Sequence, residues 1–228
     1  MDNELTILYE DNHLIVVLKP QMVACCPDES GDDNLFDCVK RYIKTTYDKP
    51  GNVYLGLIHR LDRPTGGVMV FAKTSKAAAR LSEQMQNGGF EKKYMAVLCG
   101  IPGRDRATLV NYLRKNSVNN MVYVCTESEE GAKFASLEYE IKESVGGLAL
   151  AEITLHTGRT HQIRVQTAAI NCPVYGDMRY GGEKAVKERL ALWAYSLRFS
   201  HPTTGESLRF IIEPPKEELP WSRFLINI

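Results

Sequence analysis

A chain of 228 residues, 25 % charged and 44 % apolar, is long enough for one ordinary globular core or at most two small domains. These fractions, with no apolar run near the roughly 18 residues of a membrane span, exclude collagenous, disordered and helical membrane classes and predict a soluble protein. The formal charge of zero hides an asymmetry: residues 1–38 carry nine acidic side chains against Lys19 alone, a net of −8, so the remaining 190 residues carry +8.

Alternation and β-branched content predict strands at Thr6 to Tyr9, Leu14 to Leu18, Val68 to Ala72 and Tyr94 to Leu98. Between the second and third, Leu35, Phe36, Val39, Tyr42 and Ile43 recur at helical spacing, which predicts a helix over 34–46 stopped by Lys49-Pro50-Gly51. A second helix over 76–87 is expected with Ser75 as its cap, Ala77, Ala78, Leu81 and Met85 inward, and Asn87-Gly88-Gly89 as its end. Leu137, Tyr139 and Ile141 alternate with charged neighbours, and Leu148 to Leu155 follows Gly146-Gly147 as a hairpin partner. Thr160 to Ile170 reads as a short helix, Ser196 to Ser200 and Leu208 to Ile212 as late strands. Behind the polar connector 214–220, Trp221, Phe224, Leu225 and Ile226 are expected to pack back onto the body. Strands clustered in hairpins with few helices predict an α+β fold with a mixed, mostly antiparallel central sheet flanked by helices and loops.

The acidic start Met1-Asp2-Asn3-Glu4 lacks an export signal, so a cytoplasmic protein with six thiols is expected. Neither the cysteine nor the histidine spacing suits a metal, and no phosphate loop, dinucleotide fingerprint or zinc helix occurs, so no cofactor and no metal are expected.

Two segments are dense in polar groups. His59-Arg60-Leu61-Asp62-Arg63, before Gly66-Gly67, sets a carboxylate between two arginines, within a stretch from His59 to Lys93 of local charge +4. Either catalysis or an ordinary surface ion pair accounts for Asp62 taken alone. His156-Thr157-Gly158-Arg159-Thr160-His161-Gln162-Ile163-Arg164 places hydrogen-bonding groups at a glycine turn opening a helix, a place for phosphate and equally an ordinary polar surface.

Taken together these segments resemble one family. His59 to Asp62 with Arg63 and Gly67, Lys92-Lys93-Tyr94 with Ala96-Val97, Gly158 to Val165, Gly176-Asp177 with Tyr180-Gly181-Gly182, and Leu197, Phe199, His201 and Pro202 are similar, in order, to the motifs of RluA-type RNA pseudouridine synthases. The resemblance runs from about Tyr9 to Pro202 and implies the pseudouridine synthase fold and conversion of uridine to pseudouridine in structured ribosomal or transfer RNA. It implies that Asp62 is the catalytic carboxylate and that the target nucleotide is flipped out. Arg60 then fills the vacated space, Tyr94 stacks on the uracil, Arg164 pairs with the aspartate, and Ile163 lies beside the pocket. His59, Arg63, Arg159, Thr160, His161 and Gln162 are the further expected substrate-binding residues.

The chain departs from the family pattern at Leu18, beside Lys19-Pro20, and at Gly66, Gln166 and Trp193. A single catalytic domain over 1–228, without a separate N-terminal RNA-binding domain, is expected. So is a monomer that binds RNA and no membrane. A catalytically silent RNA-binding protein and a glycosidase or nucleoside hydrolase acting on small molecules are the rival readings; intact Asp62, Tyr94 and Arg164 argue against the first, and the arginine-rich surroundings suit a polyanion better than the second.

Overall fold

The computed structural model describes residues 5–29 and 31–226. The chain divides into two compact units, one holding the chain up to Lys92 with Ala194–Ile212, the other Lys93–Trp193 with Glu213 onward.

In the first unit, strands β1 (Ile7–Glu10), β2 (Leu14–Lys19) and β4 (Gly66–Ala72) follow one another antiparallel, and the short β3 (Gly56–Leu57) also pairs with β4. Strand β10 (Leu192–Ser200) lies next to β4 and pairs antiparallel with β11 (Ser207–Ile211). Every residue of β4 is buried, which explains its unbroken apolar run. Helix α1 (Leu35–Thr46) is capped by Asn34, whose side chain accepts from the Asp37 amide and donates to the Asp37 carboxylate. It buries Leu35, Val39 and Ile43. Helix α2 (Ser75–Gln86) buries Ala77 and Leu81 into a core with Leu14, Val16, Val70, Leu197 and Phe199. Phe90 stacks on Phe199 in that core at 5.0 Å between ring centroids. The cap of α2 is Thr74 rather than the expected Ser75. Thr74 has extended dihedrals and accepts from the Ala77 amide, while Ser75 is already helical.

In the second unit the strand order is β5 (Glu91–Cys99), β9 (Leu148–Leu155), β8 (Lys133–Val145), β6 (Arg106–Lys115), β7 (Val122–Cys125), each neighbouring pair antiparallel. Gly146 and Gly147 both have positive φ, the geometry of a two-residue turn that matches strand twist, so the expected β8–β9 hairpin closes as read. Helix α3 (Gln162–Ala169) begins two residues later than expected because His161 takes φ 52°, which a right-handed helix cannot include.

Strands β3, β6 and β7 were not foreseen. Strand β6 is only half-buried along most of its length, so its apolar periodicity is faint. Trp221, Phe224 and Ile226 are buried as expected, but Leu225 is 82 % exposed, since neighbours on extended backbone point opposite ways. All six cysteines are free thiols.

Candidate active site

In the first unit, residues 58–65 form the loop that joins β3 to β4. Its shape is fixed from several sides. Leu61 is buried, and the Cys25 thiol holds its backbone twice, donating to the Leu61 carbonyl at 3.0 Å and accepting from its amide at 3.2 Å. On the other side of Asp62, the Arg63 carbonyl accepts from Lys19 Nζ at 3.0 Å, and the same ammonium donates to the Pro20 and Val23 carbonyls at 2.9 and 2.6 Å. Lys19 is wholly buried, and burial draws its pKa down to about 8 even though the Asp62 charge favours its ammonium. The Thr65 amide donates to the Asp62 carbonyl at 2.9 Å and closes the turn. Asp62 therefore sits half-buried between two residues whose backbones are tied down.

The imidazole of His59 accepts the Val70 amide at Nε2, 3.2 Å, so that ring is neutral. Burial, with the nearby Lys92 ammonium, holds its pKa down to about 3, consistent with that role. Gly67 has φ +130°, and a Cβ there would lie 2.2 Å from the Ala194 carbonyl oxygen, so only glycine lets the chain pass from the loop into β4.

In the second unit lie Tyr94 and the start of α3. Tyr94 is buried on β5 opposite Ile153. Arg164 on α3 is 6 % exposed and forks onto Asp177, Nε to Oδ2 at 2.7 Å and Nη2 to Oδ1 at 2.8 Å. Asp177 also accepts the Arg179 and Tyr180 amides at 3.0 and 3.1 Å. Burial pushes the Asp177 carboxyl up, but the Arg164 guanidinium and those two amides outweigh it and hold the pKa below the usual carboxylate range. The Tyr180 ring lies under the Arg164 guanidinium at 5.1 Å, and the Tyr180 hydroxyl meets His161 Nδ1 at 2.7 Å. Aspartate, aromatic ring and helix together fix the direction of the guanidinium.

A family model described as RNA pseudouridylate synthase matches residues 13–169, a span that includes the Asp62 loop, Tyr94 and Arg164. The chain belongs to that family. An uncharacterized RNA pseudouridine synthase of Chlorobaculum parvum is 32 % identical over 238 residues, covering 95 % of this chain and 72 % of the relative. The ribosomal large subunit pseudouridine synthase C of Escherichia coli is 34 % identical over 221 residues, covering 93 % of this chain and 66 % of the relative. Among solved structures, human RNA pseudouridylate synthase domain containing 4 superposes with a TM-score of 0.77 at 24 % identity, over 93 % of this chain and 89 % of that one. Human RNA pseudouridylate synthase domain containing 1 gives 0.70 at 26 %, over 93 % and 84 %. The fold is thus the α+β synthase fold, and the activity of the family is that of an isomerase acting on RNA.

The residues expected at the site of this synthase fall into distinct settings. Asp62 and Arg60 lie on the clamped loop, Arg60 exposed. Arg63 lies between two carboxylates, Nη1 to Asp32 and Nη2 to Asp28, both at 2.7 Å. His59 is spent on the Val70 amide. Gln162 is buried, donates to the Ser136 carbonyl, and accepts both the Thr157 hydroxyl and the Arg159 amide, so its polar atoms shape the turn before α3. Ile163 is buried, while Arg159 and Thr160 are exposed. Asp177 as the anchor of Arg164, and Cys25 and Lys19 as the clamps on the Asp62 loop, were missed in the sequence. A basic residue buried on a short helix implies a buried acid somewhere, and Asp177 in the Gly176-Asp177 motif was the signal available. Of the departures from the family pattern, Gln166 donates to the Leu109 carbonyl and Asn111 side chain and so ties α3 to β6.

Proposed function

We propose that this synthase isomerises uridine to pseudouridine in structured RNA, with large-subunit ribosomal RNA the first substrate class to test, since relatives carry that name. The reaction breaks the bond from uracil N1 to C1′, turns the base, and joins its C5 to the same carbon, so nothing is added or lost. That calls for one ionised carboxylate at the sugar and a site that retains the free base. The observation that supports Asp62 in this role is the clamp on either side of it, by Cys25 at Leu61 and by Lys19 at Arg63, which holds a half-buried acid in place without covering it. Attack on C1′ and removal of the C2′ proton both need that ionised form.

In this reading Arg60, exposed on the same loop, occupies the gap left by the everted nucleotide, Tyr94 offers its ring to the uracil, and Arg164 favours the ionised aspartate. Ile163 lines the pocket. The family match runs through both units, which supports treating them as parts of one catalytic domain. Action in the cytoplasm as a monomer without membrane attachment or bound metal completes the proposal. No helix among the described residues is long and apolar enough to cross a membrane, and no cluster of three or more candidate metal ligands occurs among them.

Asp62→Asn removes the ionised carboxylate and almost no volume. Carbodiimide labelling with primer extension on ribosomal transcripts should show no isomerisation by this variant, while RNA binding stays within about threefold of wild type. Retained turnover would remove Asp62 from the reaction.

A further inference from the structure

The second unit contains a cavity of about 480 Å3 that Asp62 does not line. Its floor is apolar: Leu113 and Val122, both buried, form a small core with Ala135 and Val165 of α3. Its rim is cationic. Arg114 and Lys115 come from the end of β6, Lys133 from the start of β8, and Arg159 from the turn before α3, with Thr160 beside it and Glu130 the one acid lining the cavity.

These cations converge because of strand register. The β6–β8 ladder sets Lys133 opposite Leu113, and the β6–β7 ladder sets Lys115 opposite Val122, so both lysines flank the apolar floor. Arg159 is fixed by Nε donating to the Phe134 carbonyl at 2.8 Å and by its amide on Gln162. Among the described residues no carboxylate comes within ion-pair distance of Lys115 or Lys133, and Arg114 has only a half-exposed contact of 3.4 Å with Glu129. Four positive groups against one lining acid, in a chain whose total charge is zero, make a local field suited to a polyanion. The cavity is also larger than a single ion needs.

We infer that this groove of the second unit, rimmed by Arg114, Lys115, Lys133 and Arg159, binds the sugar-phosphate backbone of substrate RNA as an anchoring site separate from the reacting groups. The cationic rim over an apolar floor suits contacts with phosphates, which do not depend on sequence. This rests on the RNA-acting reading above, and the test keeps the two apart.

The test compares wild type with Lys115→Gln/Lys133→Gln and Lys115→Arg/Lys133→Arg, all exposed changes whose folding is checked by thermal melting. Binding of a fluorescein-labelled RNA hairpin is followed from 50 to 200 mM salt, and isomerisation is followed on a large-subunit ribosomal transcript. The Gln pair should bind about tenfold more weakly at low salt, with a log–log salt slope shallower by about 1.4 to 1.8, the loss of two phosphate contacts. Its KM should rise with kcat unchanged, and the Arg pair should restore both. Unchanged affinity and slope in the Gln pair overturn the anchoring site even if wild type isomerises uridine. Weakened binding with a shallower slope supports it even if wild type proves inactive, in which case the reading of the reaction fails instead.

Discussion

Removing the carboxylate of Asp177 tests how the Arg164 guanidinium is held. In Asp177→Ala a buried arginine loses the acid that accepts two of its hydrogen bonds, and the Arg179 and Tyr180 amides lose their acceptor. Breaking a buried pair from one side costs about 3–5 kcal/mol, most of it from the charge left behind. In a domain of this length each kcal/mol moves Tm by about 2–4 °C, so a fall of about 6–20 °C is expected by calorimetry. The double change Arg164→Met/Asp177→Leu removes the stranded charge and should recover part of that stability, though the two amides still lack a partner. It should remain inactive, which separates the functional loss from the structural one. The pH dependence has a definite sign: the Asp177 pKa is lower in the folded state, so its contribution is present above the ordinary value near 3.8 and is lost as pH falls through the folded value. The gap between wild type and Asp177→Ala should therefore narrow only in strong acid. A loss below about 1 kcal/mol in Asp177→Ala at neutral pH would refute the view that this pair fixes Arg164.

Gly67→Ala should cost about 2–5 kcal/mol by urea denaturation, because the new methyl group meets the Ala194 carbonyl at a backbone angle disfavoured for alanine; a neutral effect would show that β4 can shift. Lys19 has a folded pKa near 8, below its unfolded 10.5, so the unfolded chain binds more protons in between and wild-type stability should rise with pH across that window. Lys19→Met should lack this rise, and parallel curves for the two proteins would place the titration elsewhere. Tyr94→Phe keeps the ring face and should retain much of the isomerase activity measured by carbodiimide mapping, whereas Tyr94→Leu should lose most; equal losses would assign the role to the hydroxyl.

The segments legible in the sequence were those whose own pattern suffices. The β8–β9 hairpin announced itself through alternation and a glycine pair, and α1 through spacing and the Lys49-Pro50-Gly51 stop behind it. Illegible were features that depend on a distant partner. The excess of acid in residues 1–38 names no partners by itself, yet Glu10 pairs with Lys73, Asp11 with His201, Asp33 with Arg41, and Asp28 and Asp32 with Arg63. Cys25 reads as a small apolar residue and in fact grips both backbone groups of Leu61. At the candidate site, Asp62 was singled out by the resemblance of its motif to the family's, a carboxylate between arginines being equally an ordinary ion pair, whereas Asp177 lies 13 residues beyond Arg164 and meets it only through the fold.

The pairing of Arg63 with Asp28 and Asp32 bears on the enzyme before any substrate arrives. Arg60 and Arg63 stand three residues apart on one short loop, and the buried Lys19 ammonium of β2 lies against its backbone; like charge so gathered would by itself push the bare loop open. Two aspartates from elsewhere in the same unit act as resident counterions, so the segment keeps its form in solution and meets its substrate already shaped rather than being moulded by it.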